Sequence, residues 1–113
     1  MSEDTYKLVK DDFETREIDN IIVVGKSLPV RVFELLGFKG KVEEPILDVR
    51  NYFQKGLMVY RRQDWHEAQR CFDTCLEINP SDKPSQVFGE RIKVLRENPP
   101  SDKWDGVWQM TKK

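Results

Sequence analysis

Histidine and cysteine are nearly absent from this chain, which contains His66, Cys71 and Cys75 and no others of either type. A structural zinc site needs about four such ligands, so the sequence excludes one built from these residue types alone. The two cysteines are spaced one helical turn apart, which predicts buried, reduced thiols and not a disulfide framework. No paired carboxylates stand at a predicted pocket. We therefore assign no catalytic, metal-binding or cofactor-binding residue to this chain.

Long apolar runs and blocks of like charge are also missing. No stretch approaches the roughly 20 apolar residues that a membrane-spanning helix needs. The N-terminus, Met1-Ser2-Glu3-Asp4, lacks the basic and apolar regions of a signal peptide. The formal net charge of -1 comes without a basic patch, which disfavours nucleic-acid binding. We expect a cytoplasmic segment that contacts neither nucleic acid nor membrane, although upstream segments of a parent protein could anchor it to a membrane.

What the chain does have is a predicted helical hairpin over residues 48–80. Ala68 and Phe72 have the A-x3-F spacing of a tetratricopeptide repeat (TPR), and a helix-stopping proline follows. Gly56 on the first helix and Ala68 on the second are small enough to let two antiparallel helices approach closely, and Phe72 fills the layer beside them. The hairpin therefore resembles one TPR. The packing positions that this resemblance implies are Tyr52, Gly56, Trp65, Ala68, Phe72, Cys75 and Pro80.

Three helices are predicted in this region, and they span residues 46–62, 65–78 and 83–97. Asp64, with Glu67 three residues later, forms a capping box for the second helix, and Asp82 is placed to cap the third. The third helix has no partner of its own, which is typical of the capping helix at the end of a helical repeat. The side chains predicted to face the core are Ile46, Val49, Phe53, Leu57, Tyr60, Trp65, Ala68, Phe72, Cys75, Leu76, Phe88, Ile92 and Leu95.

The first part of the chain predicts a short helix followed by a β-hairpin. The elements are a helix at residues 4–12 and strands at 18–24 and 30–36. Tyr6 and Val9 lie on one face of the helix. Ile21 to Val24 are apolar on both faces of their strand, which is typical of a strand inside a covered sheet. Because no later segment supplies another strand, we expect the hairpin to be the end of a larger domain, with exposed edges and poor order on its own.

This region and the end of the chain together resemble bacterial class III nucleotidyl cyclases. The motifs that carry the resemblance are Phe13-x2-Arg16-Glu17-Ile18-Asp19, Val23-Val24-Gly25-Lys26, Pro29-Val30-x-Val32-x-Glu34-Leu35-Leu36 and Asn98-Pro99-Pro100-x3-Trp104-Asp105-Gly106-Val107-Trp108. In that family the first three motifs close the catalytic domain, and the fourth follows a helical extension. The resemblance implies a parent enzyme that makes a cyclic nucleotide with Mg²⁺ or Mn²⁺. It also implies that this chain is non-catalytic, because Val24 stands where the family often has a lysine that contacts the triphosphate.

The sequence as a whole predicts an α+β fold in four parts, which are the end of a cyclase catalytic domain at 1–38, a linker at 39–45, a TPR-like helical unit with its capping helix at 46–98, and a Trp-containing tail at 99–113. We expect a regulatory or scaffolding segment of the parent cyclase, and the alternative is a stand-alone TPR-like adaptor for protein partners. Its partners would be the rest of the parent cyclase, another protein or a second copy of the chain.

A partner surface is predicted at the end of the helical hairpin and in the tail, at Arg61, Arg62, Trp104 and Trp108. The two arginines either line a groove for an acidic peptide or only balance the negative end of their helix. The two tryptophans either fold back on the helices or dock on another domain. Both pairs of alternatives stay open at the level of the sequence.

Overall fold

A computed structural model describes residues 1–110 of the chain, and its elements confirm the α+β class. They are α1 (Glu3–Val9), β1 (Phe13–Ile22), β2 (Val30–Phe38), α2 (Glu44–Arg61), α3 (Trp65–Ile78), α4 (Lys83–Glu97) and β3 (Trp108–Gln109). These elements form two units. The sheet unit comprises residues 1–43 and the segment that starts at Gly106, and the helical unit comprises residues 44–105.

Strand β1 is the centre of the sheet unit, because β2 pairs with it antiparallel on one side and β3 pairs with it parallel on the other. The prediction that this strand spans residues 18–24 is wrong at both ends. The strand starts at Phe13, whose ring stacks on that of Phe38 at 4.4 Å between centroids. Register shifts between Glu14 and Thr15 and between Glu17 and Asp19 break the simple alternation, which hid the first half of the strand from the sequence pattern.

The expectation that no later segment supplies a strand is also wrong. In β3, Trp108 pairs with Ile21 and Gln109 pairs with Ile22, and the amide of Met110 donates a hydrogen bond to the carbonyl of Ile22 at 2.8 Å. A strand of two residues has no periodic pattern to recognise. The predicted tail 99–113 is therefore divided between the two units. Residues 111–113 of that tail lie outside the described residues.

Helix α1 covers one face of the hairpin. Ser2 caps it by accepting a hydrogen bond from the amide of Thr5, and Tyr6 stacks on Phe33 with a centroid distance of 4.2 Å and an interplanar angle of 4°. The backbone of Met1 exchanges two hydrogen bonds with that of Phe33, at 2.6 and 2.9 Å. Within the described residues, Phe33 is the one buried hydrophobic side chain of the sheet unit. This unit therefore has very little core of its own.

Charged side chains add to the framework of the sheet unit. Arg31 lies between two carboxylates, with its guanidinium 2.7 Å from Glu17 and 3.1 Å from Glu3, so it connects α1 to both strands of the hairpin. Arg16 is buried and its guanidinium lies 2.9 Å from the carboxylate of Glu34 on the paired strand. Ion pairs across the ladder thus connect the two strands of the hairpin, which the sequence pattern did not predict.

The three predicted helices of the helical unit form, with small changes at their ends. Helix α2 starts at Glu44, so Glu44 and Pro45 belong to the helix and not to the linker. Proline is tolerated there because the first turn of a helix needs no backbone donor from it. Asp64 caps α3 as predicted, and its carboxylate accepts from the amide of Glu67 at 3.2 Å. The rest of the predicted capping box is wrong, because the amide of Asp64 donates to the carbonyl of Val59 at 2.9 Å and the carboxylate of Glu67 faces Lys55 and Arg70. Asp82 precedes α4, but its carboxylate accepts from the Ser85 hydroxyl at 2.6 Å and not from a first-turn amide.

The core of the helical unit lies between α2, α3 and α4. Of the predicted inward residues of α2, Ile46 is wrong, because it is 45% exposed and precedes Val49, the first residue of the helix that reaches the core. The buried cluster consists of Val49, Phe53, Leu57, Val59, Tyr60, Ala68, Phe72, Cys75, Phe88 and Ile92, with Trp65, Leu95 and Trp104 packed against it. Among residues 1–110, no helix is both long enough and apolar enough to cross a membrane.

Candidate functional site

Helices α2 and α3 approach each other closely at Gly56. A Cβ atom added at Gly56 would lie 2.8 Å from Cε1 of Phe72 and 3.1 Å from Cβ of Cys71, both shorter than ordinary van der Waals contact. Phe72 and Ala68 are fully buried in the same layer. Only a residue without a side chain fits here, because the ring of Phe72 fills the space beside it. The small-residue spacing singled out in the sequence thus coincides with this contact.

A cluster of aromatic rings continues from this contact towards one end of the helical unit. Phe72 stacks on Phe88 at 5.2 Å, and Tyr60 packs edge-on against Phe88 at 4.9 Å. Tyr60 also meets Trp65 at 5.6 Å and Trp104 at 5.3 Å, so it lies between the helical core and the segment after α4. Edge-to-face geometry is favourable for such rings. The cluster fixes Trp104 to the helical unit.

The cysteines belong to this packing and not to a reactive centre. Both are buried, and the thiol of Cys75 donates to the carbonyl of Val49 at 3.4 Å. Burial raises the pKa of the Cys71 thiol above its ordinary range, and the negative charge of Glu67 acts in the same direction. His66 is exposed on the first turn of α3. Across residues 1–110 no three His, Cys, Asp or Glu side chains are grouped so that they could hold a metal ion.

Two of the predicted packing residues, Tyr52 and Pro80, are exposed. Tyr52 is 43% exposed, so it lies at the edge of the contact between the helices and not in the buried layer. The side of α2 that carries Phe53, Gly56 and Tyr60 faces the core, and Tyr52 stands on the flank of that side. Pro80 is exposed in the turn after α3, where it can end the helix without packing.

Tyr52 instead lines a shallow groove between α2 and α3. The groove is formed by Tyr52, Lys55, Glu67, Arg70, Cys71 and Thr74. Glu67 lies 3.6 Å from Lys55 and 2.9 Å from Arg70, so the two cations of the groove already face one carboxylate. Two cations and one carboxylate leave the lining of the groove with one net positive charge. Sequence reasoning missed it because its residues come from the flanks of two helices.

The residues of the predicted partner surface are divided between the two units. Arg61 and Arg62 end α2, and Arg61 is partly buried while Arg62 is exposed. Trp104 is packed into the aromatic cluster of the helical unit, whereas Trp108 belongs to β3 in the sheet unit. One of the two alternatives for the tryptophans therefore holds for Trp104, which folds back on the helices. The amide side chain of Gln63 also donates to the carbonyl of Ser101 at 2.7 Å and fixes the same segment.

Comparison with known proteins identifies one similar sequence. Over 90 residues the chain is 31% identical to "Adenylate cyclase, terminal-differentiation specific" of Dictyostelium discoideum, and the match covers 75% of this chain and 4% of that protein. Each of the two units is shorter than the 90 residues of this match, so the match extends over residues of both units. No protein-family model and no solved structure matches the chain. The chain is thus related to an adenylate cyclase, of which it spans a small fraction of the length.

Proposed function

We propose that this chain is the non-catalytic C-terminal segment of a protein similar to the class III adenylate and guanylate cyclases of bacterial type. In this proposal the sheet unit completes the catalytic domain and the helical unit is a TPR-like regulatory or scaffolding element in the cytoplasm. The observation that carries it is the 31% identity to a cyclase over a stretch that contains residues of both units. The order of the cyclase-like motifs, from Phe13 through to Trp108, supports the same placement.

The exposed apolar side chains of the sheet unit favour a proposal in which a large partner covers them. Phe38 is 61% exposed, and Val30 and Leu35 on the same strand are also exposed. A sheet of three strands with one buried hydrophobic side chain gains little stability from its own packing. We propose that the rest of the catalytic domain covers this surface. Apolar side chains left in water would then become core residues of the complete domain.

No step of the cyclase reaction is assigned to this chain. The parent enzyme would need Mg²⁺ or Mn²⁺, which activates the attacking hydroxyl and steadies the triphosphate. Among residues 1–110 no three potential metal ligands are grouped, and we place these metal ions in the rest of the parent enzyme. The contribution of the chain would instead be structural. The helical unit, which has a contiguous core, would pass changes at its surface to the sheet unit through the two connecting segments.

A second candidate is a stand-alone adaptor that binds a protein through its helices. It is favoured by the contiguous core of the helical unit and by the groove beside Tyr52, which need no cyclase around them. The two candidates differ in what covers β2. An adaptor would keep Phe38 and Leu35 exposed or would pair them with a second copy of the chain.

The experiment mixes this chain with a parent cyclase that has been cut before the segment corresponding to it. We expect the chain to bind the truncated enzyme and to restore its activity or regulation, and to form no cyclic nucleotide alone with ATP or GTP and Mn²⁺ or Mg²⁺. Phe38→Asp should weaken binding by at least about tenfold, since it buries a charge in the proposed interface. The matched control, Val94→Asp on α4, changes a residue of similar exposure in the helical unit and should bind normally. A truncated enzyme that behaves as the intact one, and ignores the added chain, would refute the proposal.

A further inference from the structure

The turn between α2 and α3 holds Gln63 in a left-handed conformation, with φ of 65°, which residues with a side chain rarely adopt. Its backbone amide donates to the carbonyl of Tyr60 at 2.9 Å, so Gln63 ends α2 at the position where glycine is common. Glycine would adopt this conformation with less strain, but it would lack the side-chain amide that donates to the carbonyl of Ser101 at 2.7 Å. The turn therefore presents a hydrogen-bond donor to a segment that lies 38 residues later in the chain.

Two aromatic residues flank this turn in the sequence. Tyr60 precedes it and Trp65 follows it, and their rings meet at 5.6 Å between centroids with an interplanar angle of 74°. The ring of Trp104 packs against both, at 5.3 Å from Tyr60 and 5.9 Å from Trp65. Tyr60, Gln63 and Trp65 thus form one surface at the end of the helical hairpin, which we call the aromatic notch.

The segment that occupies the aromatic notch consists of residues 98–104, which we call the strap. Pro99 and Pro100 favour an extended backbone at its start. The carbonyl of Ser101 accepts from the side chain of Gln63 and also from the amide of Trp104 at 3.0 Å, which closes a turn just before the ring. The strap therefore contacts the notch as a peptide ligand contacts its receptor, with a hydrogen bond to its backbone and one aromatic side chain as the anchor.

The charges near the contact are of opposite sign on its two sides. Arg61 and Arg62 stand immediately before Gln63, whereas Asp102 and Asp105 stand on either side of Trp104 in the sequence. Complementary charges of this kind favour one class of partner over another and increase the rate of association. The aromatic notch is therefore suited to an acidic segment more than to a basic one.

We propose that the aromatic notch is a recognition site for an extended segment of another protein, in which a pair of prolines precedes a tryptophan with acidic neighbours. The strap has this composition and occupies the notch in this chain. Because the strap is part of the same chain, its effective concentration at the notch is high, and a partner segment must compete with it. The strap is thus an autoinhibitory contact within the helical unit. This inference goes beyond the proposed function and does not depend on a parent cyclase.

The test adds a synthetic peptide of residues 98–107 to the full chain and measures its affinity by isothermal titration calorimetry. Trp104→Ala removes the anchor of the strap, so the peptide should bind this variant at least about tenfold more tightly than the unsubstituted chain. In the Trp104→Ala background, Gln63→Ala should weaken binding by about threefold to tenfold, because one hydrogen bond is lost. Gln86→Ala is the matched control and should not change the affinity, because its side-chain amide donates to the carbonyl of Pro80, at 2.8 Å, in the turn at the other end of α3.

NMR of the unsubstituted chain gives a second measurement that does not depend on the folding of a variant. Excess peptide should move the indole N–H signal of Trp104 towards that of a solvent-exposed indole and should shift the signal of Trp65, while a peptide with alanine in place of its tryptophan should do neither. The proposal is overturned if the peptide binds neither the unsubstituted chain nor Trp104→Ala, or if the alanine peptide binds equally well. It is also overturned if Trp104→Ala self-associates in sedimentation experiments and ignores the peptide, because a second copy would then fill the notch.

Discussion

Replacing Gly56 by alanine tests whether the contact between α2 and α3 requires a residue without a side chain. Alanine is favoured over glycine inside a helix by about 1 kcal/mol, so the substitution would stabilise an uncrowded helix. At Gly56 the new methyl group would lie 2.8 Å from Cε1 and 2.9 Å from Cζ of Phe72. That ring cannot move aside easily, because Phe53 and Phe88 pack against it at 5.3 and 5.2 Å. Overpacking of this kind costs about 1–3 kcal/mol, so the net effect should be a loss of up to about 2 kcal/mol.

The chain contains a matched control for this substitution. Gly89 lies inside α4. A Cβ atom there would meet only the side-chain nitrogen Nε2 of Gln69 at 3.8 Å, which is an ordinary van der Waals contact. Gly89→Ala should therefore raise the free energy of unfolding by about 1 kcal/mol. The difference between the two variants isolates the steric cost, since the gain in helix propensity is common to both.

Thermal unfolding followed by circular dichroism at 222 nm measures both variants, and about 1 kcal/mol corresponds to roughly 4–8 °C in a unit of this size. We expect Gly56→Ala to melt below the unsubstituted chain and Gly89→Ala to melt above it. Phe72→Leu removes the two crowded ring atoms, so the double variant Gly56→Ala/Phe72→Leu should be more stable than the sum of the single changes predicts. An increase in melting temperature for Gly56→Ala equal to that for Gly89→Ala would refute the steric explanation.

Three further predictions concern other contacts. Trp104→Ala should lower the free energy of unfolding of the helical unit by about 2 kcal/mol, because the ring packs on the core but is only partly buried, and Trp104→Phe should lose less in the same denaturant titration. Because its pKa is raised, Cys71 keeps its proton in the folded chain at a pH where the unfolded chain releases it. The free energy of unfolding should therefore fall as the pH rises above about 8.5, and this fall should be smaller in Cys71→Ala. Arg31→Lys should lower the free energy of unfolding by under about 1 kcal/mol, because an ammonium group cannot bridge Glu17 and Glu3 as the guanidinium does. This loss should shrink in high salt, and a loss that does not depend on salt would contradict the ion-pair assignment.

The helices could be predicted from the sequence because each carries local signals that do not depend on distant residues. Asp64 marks the start of α3 as its N-cap, and Pro84 marks the first turn of α4. The inward side of α2 could be read from the spacing of Val49, Phe53 and Tyr60. The exposed fraction of Tyr52 could not be predicted, because a repeat motif assigns an aromatic residue to this position without giving the rotation of the helix.

The sheet unit could be predicted less completely because its structure depends on pairing between distant segments. The bulges of β1 interrupt the alternation from which a strand is recognised, so its first half was missed. Strand β3 carries no local signal, since Trp108 and Gln109 become a strand only beside Ile21 and Ile22. The candidate site suffered from the same limitation. Whether Trp104 and Trp108 act together depends on which unit each of them joins, and that is decided by three-dimensional packing.

The helical unit, residues 44–105, lies in sequence between the two parts of the sheet unit, and this has a consequence for how the chain folds. The strands β1 and β2 are neighbours in sequence, and so are the three helices, whereas β3 must find a partner near the other end of the chain. The entropic cost of closing a flexible loop grows with its length, so an unfolded stretch between β2 and β3 keeps the effective concentration of β3 at β1 low. Folding of the helices replaces that stretch by a folded body with two short connections. The third strand should therefore add last, and a chain with a damaged helical core should lose it although no residue of β1 or β3 has changed. Misfolded molecules of this kind would display a bare strand edge, so the first sign of a defect in the helices would be aggregation through the sheet.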